Sequence, residues 1–524
     1  MPELESMSRD ELIVRVRDQE VVIARQAEVI DRQNTQIVTL AAQLDDVMDR
    51  LERTTAQLEE TTTKLAKLEH LLSRNSDNSS FPSSKDGGAG GTPPAPKRRA
   101  KSTGRAKGKQ KGAPGSALRW REEDEVDSRE PCFPQGSCDC GADLTGAADL
   151  GVVDRYQRHE IPLVTVTVTQ YDQHAVACSC GKVHIAPRPE GAGAGRSEYG
   201  PQLKAFAVYL MVVHFVPVAR CREILTALTG AEPSPGFVHG LLARTAAALA
   251  TCDMVIRTLI TLSFVISCDE TPLKVGAATP PPGKKEAKGY LLVACTELYT
   301  HFLLGDRSME TFKQFIFTEL EPDAVIVHDR YQNYDSSQLG DLNHQLCLQH
   351  VLRDLKAAAE LYPDQAWPTQ LADSIRELIH RANQARERGE ASLAPTLSAI
   401  GLQGARSAVA IGLAHTARLD DTRPGARKSR LLLEALRDRP DDFWRFLTDL
   451  RIPPTSNQAE RDLRPSKIQE NISGRLPHLE RAKDRYLIRG VLSTAIKHLV
   501  NPLTVLVDAF TGKLWLPPAA LAPA

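Results

Sequence analysis

The chain lacks any N-terminal apolar stretch resembling a signal peptide, and no run reaches the roughly 18 consecutive apolar residues of a membrane span. These absences lead us to expect a cytoplasmic chain with no membrane partner. In that compartment its ten cysteines are reduced, so paired thiols read as metal ligands rather than as disulfides. Net charge is also lacking, at −1 for 524 residues, and by itself argues neither for nor against nucleic acid. Its distribution is more informative. Asp and Glu are missing between Lys97 and Arg121, a stretch that holds ten Lys or Arg, among them Lys97, Arg98 and Arg99. Such a run suits a phosphate-bearing partner and equally suits a solvated linker.

Gly and Pro are missing from residues 10–72. Over that span Val16, Ile23, Ile30, Ile37, Leu44, Leu51, Leu58, Leu65 and Leu72 recur every seven residues. A stripe of this period predicts an N-terminal coiled coil, because it must pair with another helix. The companion positions are mixed: Leu40, Val47 and Leu68 are apolar, whereas Gln26, Gln33, Thr54 and Thr61 are polar and set register rather than add stability. A homodimer follows, the alternative being a helix that folds back on its own chain. Residues 73–118 are polar and turn-rich, then basic, and read as a disordered linker.

With 524 residues and 42% apolar content, the remainder holds several domains with a real core. Residues 119–190 are short, strand-like and cysteine-rich, with alternation from Thr165 to Thr169. Cys138 and Cys140, and again Cys178 and Cys180, form two Cys-x-Cys-Gly knuckles. Four thiolates in two pairs suit a small zinc-ribbon-like module, although the usual spacing is one residue longer. Cys132, His174 and His184 are alternative ligands, and free thiols are the other reading. Residues 191–261 read as a helical domain, with starts at Tyr199-Gly200-Pro201 and at Ser234, either for packing or for DNA contact.

From residue 262 the texture becomes that of alternating strands and helices. The run Leu262–Cys268 ends in Asp269-Glu270-Thr271-Pro272, and Ala324–His328 ends in Asp329, with strands at 289–295, 300–305 and 344–347 and a helix at 309–317. Strand ends put side chains at the rim of an α/β sheet, where ligands bind. Two carboxylates there repel unless a cation lies between them, and hard oxygen ligands suit magnesium or manganese. Two such ions can clamp an in-line phosphoryl displacement. Each Asp taken singly also serves as an ordinary turn cap. A third carboxylate, Glu460, lies in Pro454–Pro465. There Asn457, Glu460, Arg461 and Arg464 share one helical face, and Lys467 follows to contact phosphate. Asn457 followed by Glu460 has capping-box spacing as well.

These residues resemble the IS sixty-six family of bacterial insertion-sequence transposases, enzymes of the DDE type, over nearly the whole chain. The resemblance rests on Asn75–Ser84, Tyr199–Pro201, Asp269–Pro272, His328–Tyr334, Cys347–His350 and Ser456–Arg464. It implies an α/β RNase H-like catalytic core, 262–352 and 453–500, with a helical insertion at 353–452 and a C-terminal tail at 501–524. It implies Asp269, Asp329 and Glu460 as catalytic magnesium ligands, with Asn457 and Cys347 in support and His350 either supporting the site, contacting DNA or simply a buried structural residue. The substrates implied are terminal inverted repeats and target DNA, and whether helper proteins from the same element are needed is left open. Two departures stand out: Arg330 precedes Tyr331 where the family has Gly, and the first knuckle is one residue short. The competing functions are an RNase H-fold nuclease that does not join strands and a non-catalytic DNA-binding regulator. An inactive copy is a further alternative.

Overall fold

The computed structural model describes residues 8–72, 118–161, 164–188, 195–280, 287–419 and 425–519. The linker expected at 73–118, with Lys97, Arg98 and Arg99, lies outside the described residues apart from Leu118. The chain divides into two compact units, each discontinuous: one comprises Met1–Ala95 and Cys347–Pro454, the other Pro96–Leu346 and Thr455–Ala524.

In the first unit, α1 (Arg9–Leu72) is one uninterrupted helix, as the absence of Gly and Pro dictates. Its heptad residues from Val16 to Leu65 stay exposed, among them Ile23, Ile37 and Leu58. The second segment holds α6 (Leu348–Leu361), α7 (Trp367–Glu387), α8 (Pro395–Thr416), α9 (Ala426–Asp438) and α10 (Pro440–Thr448). α8 holds no unbroken apolar run of membrane length, but by length and mean hydropathy it is apolar enough to cross a membrane, with 22% of its apolar window buried. Small residues explain its apolar content. Gly412 sits against Trp367 and Leu433, and Gly401 against Leu378, so neither has room for a Cβ.

The second unit carries the sheet. Its strands are β3 (Val265–Leu273), β4 (Gly289–Cys295), β5 (Thr300–Gly305), β6 (Val325–His328) and β7 (Asn343–Leu346). They lie in the order β5-β4-β3-β6-β7. β3, β4 and β5 are antiparallel neighbours, and β3, β6 and β7 are parallel. This is a mixed α/β architecture. On one face Ile266, Cys268, Leu292, Ala294 and Ile326 pack with α2 (Pro201–Val212), α3 (Val218–Thr229) and α4 (Pro235–Thr261). The helix starts fall where the sequence puts them. Gly200 and Pro201 open α2, and the Ser234 hydroxyl accepts the Phe237 N–H at 3.1 Å to cap α4. On the other face Leu273, Leu291, Val293 and Leu304 pack with Ala459, Leu463 and Tyr486. Those residues belong to α11 (Asn457–Ile472) and α12 (Leu479–Lys497).

Three expectations need correction. β3 does not end at Asp269: β6 pairs with it only as far as Ser267, but β4 keeps pairing to Leu273, so Asp269 sits within a strand whose parallel neighbour has stopped. Thr165–Thr169 is not a strand, because no neighbouring strand pairs with it and its Val168 is 87% exposed. The only strands of the cysteine-rich segment are the short hairpin β1 (Ala175–Ala177) and β2 (Val183–Ile185), among the described residues. The stretch after 500 is more than a tail: α13 (Pro502–Phe510) buries Val505 and Leu506 in the core beside α2 and α4.

Candidate active site

Side chains alternate across a strand, so residues of one parity share a face. In β3, Ile266 and Cys268 belong to the α4 face, and Leu273 belongs to the α11 face. Asp269 therefore shares the α11 face, as does its cross-strand partner Val293. In β6, Ile326 belongs to the α4 face, which puts Val327, and Asp329 two residues on, on the α11 side. The parallel register ends at Ser267↔Val327, two residues before Asp269 and before Asp329, and the charge of Asp329 reaches Glu270, the residue after Asp269. Both carboxylates are half-buried. Asp269 Oδ1 accepts the Glu270 N–H at 2.8 Å, and Asp329 Oδ1 accepts the Tyr331 N–H at 2.8 Å.

Glu460 is on α11, the helix that covers this face. The helix is pinned by Ala459 and Leu463 in the core and by two polar ties to β3. Lys274 N–H donates to Glu470 Oε1 at 2.7 Å, and Lys467 Nζ donates to the Pro272 carbonyl. The capping-box reading of Asn457 does not hold. Ser456 occupies the N-cap, Asn457 is the first helical residue, and Glu460 is the fourth, one place beyond capping-box spacing. Arg461 and Arg464 are exposed, whereas Lys467 is committed to Pro272 and Glu470. Cys347 and His350 fall in the other unit, where Cys347 precedes α6.

The donor set is wholly carboxylate oxygen, which suits a hard divalent ion. Among the described residues no three His, Cys, Asp or Glu side chains are gathered closely enough to hold a metal. The fold thus puts Asp269 and Asp329 two residues beyond a shared parallel register and the helix of Glu460 on the same face of β3, without closing the three onto one point. The same holds for the knuckles. Cys138 and Cys178 each accept, through their carbonyl, the N–H of Gly141 or Gly181 at 2.8 Å, and both glycines have left-handed φ, 89° and 86°. Within each turn the second cysteine's N–H and thiol hold the first thiol below its ordinary pKa. All four, and Cys132, are exposed. The two turns match in form, and neither they nor His174 and His184 make a group of three ligands.

Next to the aspartates is a polar cluster that motif reading passed over. Glu270 faces the α4 side, with its side chain 1% exposed. It accepts from Arg307 Nη2 at 2.8 Å and from the Tyr334 hydroxyl at 3.0 Å. Burial pushes its carboxyl up to about 7, with Asp329 adding to the rise and Arg307 opposing it. Tyr334 stacks on His328 at 4.2 Å, and His328 Nε2 lies 2.9 Å from His344 Nδ1. On the far side of the sheet Asp462 Oδ2 accepts from Thr300 Oγ1 at 2.9 Å and from Lys497 Nζ at 2.8 Å, tying α11 to β5 and α12. The signal for Glu270 was its odd parity: a charged residue in the register of Ile266 and Cys268.

Fold and site together define an α/β protein with one aspartate inside a central strand and another just past the end of that strand's parallel neighbour. The family described as Transposase IS66 family matches residues 196–484, more than half of the chain, and the chain belongs to that family. A family of unknown function, DUF6444, matches residues 2–119. No curated protein was found that matches the chain.

Proposed function

We propose that this transposase cleaves DNA at the ends of an insertion sequence and joins the freed 3′ hydroxyl to target DNA, with Asp269, Asp329 and Glu460 as its metal-binding carboxylates. The observation that supports the reading is the parallel pairing of β3 and β6, whose last registered pair, Ser267↔Val327, lies two residues before each aspartate. Nearby like charges are costly unless a cation lies between them. Magnesium or manganese held there would activate the attacking hydroxyl and stabilise the leaving oxygen. Asp269 is oriented by the Glu270 N–H and Asp329 by the Tyr331 N–H, so each keeps a fixed direction before any ion arrives. Glu460, in the first turn of α11, is the third carboxylate of the set. Arg461 and Arg464, on the exposed side of that turn, contact backbone phosphates. The five-stranded sheet, with its parallel and antiparallel halves, is compatible with an RNase H-like core.

The coiled coil pairs two protomers through α1, which suits an enzyme that holds two DNA ends. The basic run at 97–121 adds salt-sensitive affinity. The matching knuckle turns favour a structural zinc held by Cys138, Cys140, Cys178 and Cys180, which metal analysis of the purified chain tests at one zinc per chain. The deciding experiment is a strand-transfer assay with magnesium on a duplex bearing the element's end. Joined products are expected, and they vanish with Asp269→Asn. Cleavage without joining would replace this reading with a nuclease. Recombination that survives Asp269→Asn would remove the metal site.

A further inference from the structure

Arg307 lies in the turn between β5 and α5 (Met309–Phe312). Its guanidinium carbon sits 4.5 Å from the centroid of Tyr290 and 4.3 Å from that of Tyr331, so both rings hold it. Nη2 donates to Glu270 Oε1 at 2.8 Å. The main chain is fixed as well, since Asn333 Nδ2 donates to the Arg307 carbonyl at 2.9 Å. A guanidinium carries five N–H donors in a rigid fork. Among the described residues only one hydrogen bond leaves this side chain, which is 37% exposed.

Buried Glu270 needs a counter-charge, and that accounts for one of the five donors. It does not account for an arginine gripped by two tyrosines with its other donors uncommitted. We propose that Arg307 binds a backbone phosphate of the DNA strand crossing the sheet rim, with Glu270, Tyr290 and Tyr331 holding the guanidinium in position. The proposal rests on the reading of the rim as a DNA site. Arginine matches phosphate with two parallel N–H bonds, and a fork already oriented loses little freedom on binding. The location fits. Tyr331 follows Asp329 by two residues, and the Asp329 charge is felt by both Glu270 and Tyr331. Phosphates recur about every 3.4 Å of helix axis along one strand.

The test measures binding of the full-length chain to a fluorescent random-sequence duplex over a series of salt concentrations. Arg307→Gln is expected to weaken binding several-fold and to lower the slope of log K against log salt by about 1. Arg307→Lys should keep the slope while binding more weakly than wild type, because the charge remains and the fork is lost. Tyr290→Leu leaves the Glu270 ion pair in place and should weaken binding with no change of slope, which covers the case in which Arg307→Gln fails to fold. A role confined to neutralising Glu270 would lower the melting temperature and leave both slope and affinity unchanged, and that result overturns the proposal alone. A wild-type chain that binds no duplex overturns the DNA reading and this proposal together.

Discussion

Glu270 is a carboxylate buried at a cost, and pH is the lever that exposes it. Its folded pKa is raised from 4.5 to about 7. The protonated form is thus the one the fold favours. Its stabilising contribution is complete below about pH 4.5 and is lost as pH rises through about 7. The difference is on the order of 3 kcal/mol. Urea unfolding in EDTA at pH 5 and pH 8 should show this loss in the wild type and a smaller one in Glu270→Gln; equal losses would sink the assignment. The neighbouring aspartates give a different signature. Asp269→Asn or Asp329→Asn should cut strand cleavage by at least about a hundredfold, since a metal's contribution is worth several kcal/mol. Neither change should lower the melting temperature, because each relieves repulsion between like charges. A variant that cleaved normally would remove that residue from the site.

At the scale of elements, the contacts of α11 and α12 hold the aspartate-bearing face of the sheet together. Asp462 and Lys497 are both about a tenth exposed, at 10% and 11%. Asp462→Ala leaves the lysine charge buried without its carboxylate, and a loss of about 3–5 kcal/mol in unfolding free energy is expected. Loss under about 1 kcal/mol would mean that the Thr296 and Tyr299 carbonyls, which Lys497 also bonds, suffice. α12 comes so close to β5 that a Cβ on Gly490 would meet the Thr300 carbonyl oxygen at 3.0 Å. Here sequence reading had limits that are physical. The buried strands and Asp329 were legible because apolar runs ending in a charge mark a sheet rim. That Asp269 lies inside β3 was not, because strand length depends on β4, its pairing partner. The assignment of Glu460 rests mainly on resemblance, and its competing cap role disappeared once Ser456 proved to be the N-cap. Arg307 gave no signal at all, since its two tyrosines come from β4 and from the loop after β6.

At the scale of the molecule, the long helix is the least self-sufficient part. Ile23, Ile37 and Leu58 are 63%, 62% and 67% exposed on α1, so a seam of apolar side chains faces water in a single chain. Seams of this kind are buried by another helix. Light scattering should give a dimer for the whole chain and a monomer after removal of residues 1–72. A monomer at micromolar concentration for the whole chain would assign α1 another partner.

The second unit is assembled from two separated stretches, with residues 347–454 spent elsewhere before Thr455 resumes it. A ribosome therefore releases the five strands long before α11 and α12. Until then Leu273, Leu291 and Val293 have no cover, and both aspartates line an unfinished surface. Chains that stop short of residue 455 should be sticky and inert, in the way that partly made domains with bare apolar sheets aggregate. The order of synthesis thereby acts as a safeguard: Asp269 and Asp329 are made before residues 347–454, and the helix bearing Glu460, which also shields the sheet, is made after them.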